Sequence, residues 1–207
     1  MSDFSILKEI YKSSGFGDVN DIRTEWRNLK LKLMLNDDIK FEPNIDLIKK
    51  KSYFRDKSYW QILKKYRGNA IITGSLSLKA FGLIEREVSD IDLIALDSSI
   101  VKTVGKHHDR YDTDVKELIG YDKVYTKYFG IWNHERWYVD FFEHTNQTFI
   151  EKDGYLFQSP IEVMDKKIDM VANRIYNGHA SDRTKDLEDF LVFANILNSM
   201  LNEKESI

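Results

Sequence analysis

Three aspartates carry the chemistry that reads most directly from this 207-residue chain. Asp90 and Asp92 flank Ile91 at the head of an apolar run over residues 91–96. Side chains two apart on a strand share a face, so the two carboxylates point to the same side. Like charges that close repel one another unless a cation, a base or water intervenes. Magnesium is the cation such a pair suits, because it takes hard oxygen ligands from a few carboxylates together with substrate phosphates. Asp140 interrupts the aromatic run WYVDFF at residues 137–142. A carboxylate inside such a strand is expensive unless it is paired or bound to a cation, which makes it the natural third acid if the two strands are neighbours.

Upstream, the run Ile71-Ile72-Thr73 ends in Gly74-Ser75. A small residue at the end of a strand lets a phosphate approach the backbone, Ser75 adds a hydroxyl, and the amides that follow favour the same anion. A tight strand-to-helix turn with no ligand is the alternative. Arg86 precedes Asp90 by four residues, near enough to orient an acid or to hold phosphate, whereas an exposed strand end is the plain reading of the acids themselves.

The elements that must position these residues follow from periodicity. Residues 4–13 and 20–35 read as amphipathic helices, the second with Ile22, Trp26, Leu29 and Leu33 as its apolar stripe. A third helix, broken near Ser52, is expected from about Asn44 to Tyr66. Its Lys49, Lys50, Lys51, Arg55, Lys57, Lys64 and Lys65 interleave with Tyr53, Phe54, Tyr59 and Trp60, a mixture that suits nucleic acid but also suits a core-facing stripe. Residues 113–119 read as a short helix, and Lys106-His107-His108-Asp109 as a surface segment, since adjacent histidines diverge on either element. Residues 124–132 and 137–142 read as a strand hairpin, and 155–158 as a small strand. Ser159-Pro160 then opens a helix to Tyr176 with Ile161, Met164, Ile168, Val171 and Ile175 inward. A last helix buries Leu187, Phe190, Leu191, Ala194 and Leu197.

Composition narrows the classes. With no cysteine, a disulfide framework, a Cys-based zinc site and a thiol nucleophile are all excluded, and a reducing compartment is the simple reading. No apolar run approaches a membrane span, and the start lacks a basic segment followed by an apolar one, so a cytoplasmic location is expected. Residues 1–69 hold 15 basic and 10 acidic groups, against 16 and 24 in the remainder. A basic lobe beside an acidic one could bring a phosphate-bearing substrate to a carboxylate cluster, although a solvated helical surface gives the same count.

In this order, Gly74-Ser75, Arg86, Ser89, Asp90-Ile91-Asp92-Leu93 and Val139-Asp140-Phe141 resemble the nucleotidyltransferase superfamily that includes DNA polymerase beta. The run from Pro160 to Ile168, Arg174, and Arg183 to Asp189 resembles more narrowly the abortive-infection toxins and the minimal and antibiotic-modifying nucleotidyltransferases. The resemblance covers residues 69 to about 195. It implies an α+β fold with a small mixed sheet flanked by helices, with a catalytic core over 69–158 and C-terminal helices over 159–207; the basic helical lobe expected over 1–68 rests on charge and periodicity and lies outside the resemblance. It departs from the family pattern in a long spacing from Ser75 to Asp90 and in Gly-Ser where Gly-Gly is common.

What the resemblance implies for chemistry is transfer of a nucleoside monophosphate from a nucleoside triphosphate to an acceptor hydroxyl. Asp90, Asp92 and Asp140 would hold two magnesium ions, and Gly74, Ser75, Arg86, Lys167 and Lys185 would hold the triphosphate. Asp186 would act there too, or else fix Lys185 or Arg183 structurally. RNA, a tRNA end first, is the expected acceptor through the basic N-terminal lobe, with a small molecule or a protein as alternatives and an antitoxin as a conceivable partner. A non-catalytic binding protein on the same fold is the competing class.

Overall fold

In the computed structural model the described residues are 19–49, 59–97, 110–111, 116–119, 124–132, 138–143, 146–176 and 184–205. The helix expected over 4–13, the histidine pair and the loop of the expected hairpin lie outside them. By internal contacts the chain forms two compact units. The first comprises Met1–Lys40, Ile119–Val124 and Met164–Ile207, and the second Phe41–Leu118 and Tyr125–Val163.

Three long helices supply the described part of the first unit: α1 (Val19–Met34), the greater part of α5 (Pro160–Tyr176), and α6 (Thr184–Glu205). The stripe expected on α1 is the one buried, with Ile22, Trp26, Leu29 and Leu33 all at or below 7% exposure. Trp26 lies edge-on to Phe190, with centroids 6.4 Å apart, and 5.8 Å from Phe193, while its indole N–H donates to Asp165 Oδ1 at 2.6 Å. Met164, Ile168 and Val171 are buried on α5, and Leu187, Phe190, Ala194 and Leu197 on α6. Leu191 is only half-buried, and Phe193 takes the inward place expected of it.

The second unit is built on a mixed sheet. Its strands are β1 (Ala70–Thr73), β2 (Ile91–Ala95), β3 (Arg110–Tyr111), β4 (Lys116–Ile119), β5 (Val124–Trp132), β6 (Tyr138–Glu143), β7 (Phe149–Lys152) and β8 (Tyr155–Gln158). They run in the order β3-β5-β6-β2-β1-β8-β7, and β4 pairs with β5. β1 is antiparallel to β2, β2 is parallel to β6, and β1 is parallel to β8. The central strands are continuous apolar runs because both faces are covered: every residue of β1 is buried, and in β2 only Asp92 is not.

Lys116–Ile119 corrects one expectation, since this part of the segment read as a short helix over 113–119 is strand β4, residues 113–115 lying outside the described ones. Four residues carry too little helical propensity to outweigh pairing with a long neighbouring strand. β7 went unpredicted, although its turn announces it. Asp153 and Gly154 both have positive φ, 51° and 74°, the type I′ geometry for which Asp-Gly is the usual pair.

Short helices complete this unit: α2 (Asp46–Lys49), α3 (Tyr59–Leu63) running into a 3-10 turn (Lys64–Tyr66), and α4 (Gly74–Ala80) directly after β1. The expected long third helix is thus present as α2 and α3, with 50–58 outside the described residues. Lys49 lies over the Trp60 ring at 5.4 Å, Trp60 packs on Tyr155 at 4.6 Å, and Arg67 stands 5.4 Å from the Tyr155 ring. Trp60 is therefore engaged inside the fold. No helix among the described residues is long and apolar enough to cross a membrane.

Candidate metal centre

Strand register assembles the acids. Gly130 of β5 pairs with Asp140 of β6, Asp140 with Asp92 of β2, and Asp92 with Thr73 of β1, so one row crosses four strands. Residues in such a row share a face, which sets the Asp92 and Asp140 carboxylates side by side. Gly130 puts no side chain next to Asp140. Asp90, immediately before β2, comes round to the same place, and one ligand atom from each of the three lies within 4.8 Å of the others. All three side chains are half-buried, and Asp140 Oδ1 is sealed from solvent.

Gly74 is fitted to this cluster. Its φ is +61°, a conformation L side chains seldom adopt, and a Cβ there would stand 2.0 Å from Asp92 Oδ2. Glycine at the strand end thus makes room for an acid, whatever approaches later. Ser75, buried at the start of α4, accepts a hydrogen bond from Arg86 Nη2 at 2.7 Å, and Arg86 Nη1 donates to the Glu87 carbonyl at 3.2 Å. Lys79, at the other end of α4, donates to the Arg86 carbonyl at 3.0 Å, so the helix grips the Arg86 segment by backbone and side chain. Arg86 thus serves the Ser75 hydroxyl.

Three carboxylates in so small a space form an all-oxygen donor set with strong mutual repulsion, which fits a hard divalent cation such as magnesium or manganese. The lack of a side chain at Gly74 lets the Asp92 carboxylate sit in this set. No protein-family model, curated protein or solved structure matches this chain. Its function must therefore be argued from the site itself.

The other residues singled out from the sequence lie in the first unit. Lys167 is buried and ion-paired to Asp186 and, at 3.0 Å, to Asp189. Burial would push its pKa down, but the two carboxylates outweigh that and hold it above the usual lysine value. Asp186 and Asp189 thus share Lys167 as their counter-charge. Lys185 is exposed in the first turn of α6.

Four further positions of the second unit escaped the reading of the sequence. Tyr66 meets Phe141 edge-on at 5.3 Å, and burial pushes its hydroxyl up to about 12, so it is neutral at any ordinary pH. Thr73, Gln158 and Glu162 form a hydrogen-bonded chain beginning in the row of acids. A polar residue closing an otherwise apolar strand, as Gln158 closes TyrLeuPheGln, was the only local signal for it.

Proposed function

We propose that this chain is a divalent-cation-dependent nucleotidyltransferase that moves a nucleoside monophosphate from a nucleoside triphosphate to a hydroxyl of RNA, a tRNA end being the first candidate. The observation that carries the reading is the row placing Asp92 beside Asp140, with Asp90 at the head of the strand and Gly74 against the Asp92 carboxylate. Divalent cations held there, two by the resemblance, would offset the charge of the triphosphate and of the attacking and leaving oxygens in an in-line displacement.

The protein's own groups do the rest. Asp90, just before β2, and Asp92, within it, are the paired ligands. Asp140, in register with Asp92, would take the proton of the acceptor hydroxyl as its oxygen bonds to the α-phosphorus and the bond to pyrophosphate breaks. Arg86 and Ser75, joined by a hydrogen bond next to Gly74, are the cationic and hydroxyl groups offered to the triphosphate. The phosphate roles of Lys167 and Lys185 rest on the resemblance alone. RNA as acceptor is supported by the net positive charge of residues 1–69, through phosphate contacts by exposed cations such as Lys64, Lys65 and Arg67.

Incubation with magnesium, each labelled nucleoside triphosphate and total RNA is expected to place label on RNA. Asp90→Asn, Asp92→Asn or Asp140→Asn should each lower the rate by more than about a hundredfold, as loss of several kcal/mol of transition-state stabilisation requires. A wild-type chain that binds magnesium yet labels neither RNA, protein nor small hydroxyl acceptors would defeat the proposal.

A further inference from the structure

Thr73 stands next to Asp92 in the row of acids, and its hydroxyl has a single proton to give. As the residue before α4 it occupies a capping position that threonine commonly fills with its side chain, yet it makes no side-chain cap. Its hydroxyl instead donates to Gln158 Oε1. Gln158 is 5% exposed, and its backbone carbonyl also accepts from Ser77 Oγ at 3.0 Å, so it bonds to β1 and α4 on either side of Gly74.

The direction of the Thr73 bond is dictated from the far end of the chain. Gln158 Nε2 donates to Glu162 Oε2 at 3.0 Å. A carboxylate only accepts, so the amide nitrogen must face Glu162 and the amide oxygen must face Thr73. Glu162 is itself held by the Thr148 amide at 3.0 and 3.2 Å and by the Thr148 hydroxyl at 2.6 Å. With the oxygen of Gln158 fixed, Thr73 can only donate to it.

We propose that Gln158 is a positioning residue for the metal centre: it commits the Thr73 proton away from Asp92, so that the neighbouring carboxylate meets a cation rather than a hydroxyl. The inference rests on the reading of Asp90, Asp92 and Asp140 as a cation site, and it assigns Glu162 the job of setting the amide. Without the Gln158 acceptor, the Thr73 hydroxyl turns to its row neighbour Asp92 and competes with the cation for it.

The test is a manganese titration of the full chain followed by electron paramagnetic resonance, with thermal unfolding measured in parallel. Gln158→Met is expected to weaken manganese binding about tenfold, the low end for a group that orients a ligand. Adding Thr73→Val removes the competing proton and should bring the affinity of Gln158→Met/Thr73→Val back to within about twofold of wild type, while Thr73→Val alone leaves it unchanged. A merely structural role would lower the melting temperature without this rescue. If Gln158→Met does not fold, Gln158→Asn, one methylene too short to hold both partners, carries the same expectation. Unchanged affinity in the single variants at Gln158, or a double variant as weak as the single one, overturns the assignment. Absence of manganese binding in the wild-type chain would instead remove the metal centre on which it rests.

Discussion

Gly74→Ala is expected to weaken divalent-cation binding by about a hundredfold or more, the upper end of what disturbing a ligand-orienting neighbour costs. Two effects combine. An alanine at φ +61° carries strain of about 1–2 kcal/mol. The added Cβ, built 2.0 Å from Asp92 Oδ2, also forces the carboxylate out of the cluster it shares with Asp90 and Asp140. Gly82→Ala separates the two. Gly82 has nearly the same backbone, φ +70°, but its added Cβ would meet only a Leu47 methyl at an ordinary 3.6 Å. It should lower stability by the strain alone and leave manganese affinity intact. Equal affinity loss in both variants would mean that strain in the backbone, and not the Asp92 contact, explains Gly74.

Lys167→Met should destabilise the protein by about 3–5 kcal/mol in urea unfolding, because it leaves the Asp186 and Asp189 carboxylates buried with their shared cation gone. Asp186→Asn/Asp189→Asn in the same background should recover most of that loss, since the charge left uncompensated has then been removed. The pH dependence has a defined sign. The folded Lys167 pKa is raised above the unfolded value of 10.5, so its contribution is complete below pH 10.5 and is lost as pH climbs through the raised value. Tyr66, raised from 10.0 to about 12, adds to the same alkaline loss between those values. In Lys167→Met the Lys167 part of that alkaline fall should be missing. A stable Lys167→Met protein that had lost only triphosphate affinity would make the lysine a phosphate ligand instead of a counter-charge.

How far the site was legible depends on which residues must be compared. The nearness of Asp90 and Asp92 was legible because it is local: one residue separates them, and although Asp90 lies just before β2 and not within it, both reach one cluster. Gly74 was recognised as a close-approach glycine, but what approaches it within the fold is Asp92, nearly twenty residues on, and no local pattern names that partner. Asp140 was picked out by the cost of burying a carboxylate among aromatics; its pairing with Asp92 needed the parallel register of β2 and β6, which is set by non-local packing. The helices around Trp26 and Phe190 were readable from periodicity, whereas Lys167 could not be paired with Asp189 without knowing how α5 meets α6. The Asp153-Gly154 turn was readable and went unread, and with it β7.

The most direct measurement is the stoichiometry and affinity of manganese on the full wild-type chain at neutral pH, compared with Asp92→Asn and Asp140→Asn. If the row of acids is a cation centre, the wild type binds saturably and each variant loses at least about tenfold in affinity. Saturable binding that is unchanged when both aspartates are replaced, or no binding in the wild type, would contradict it.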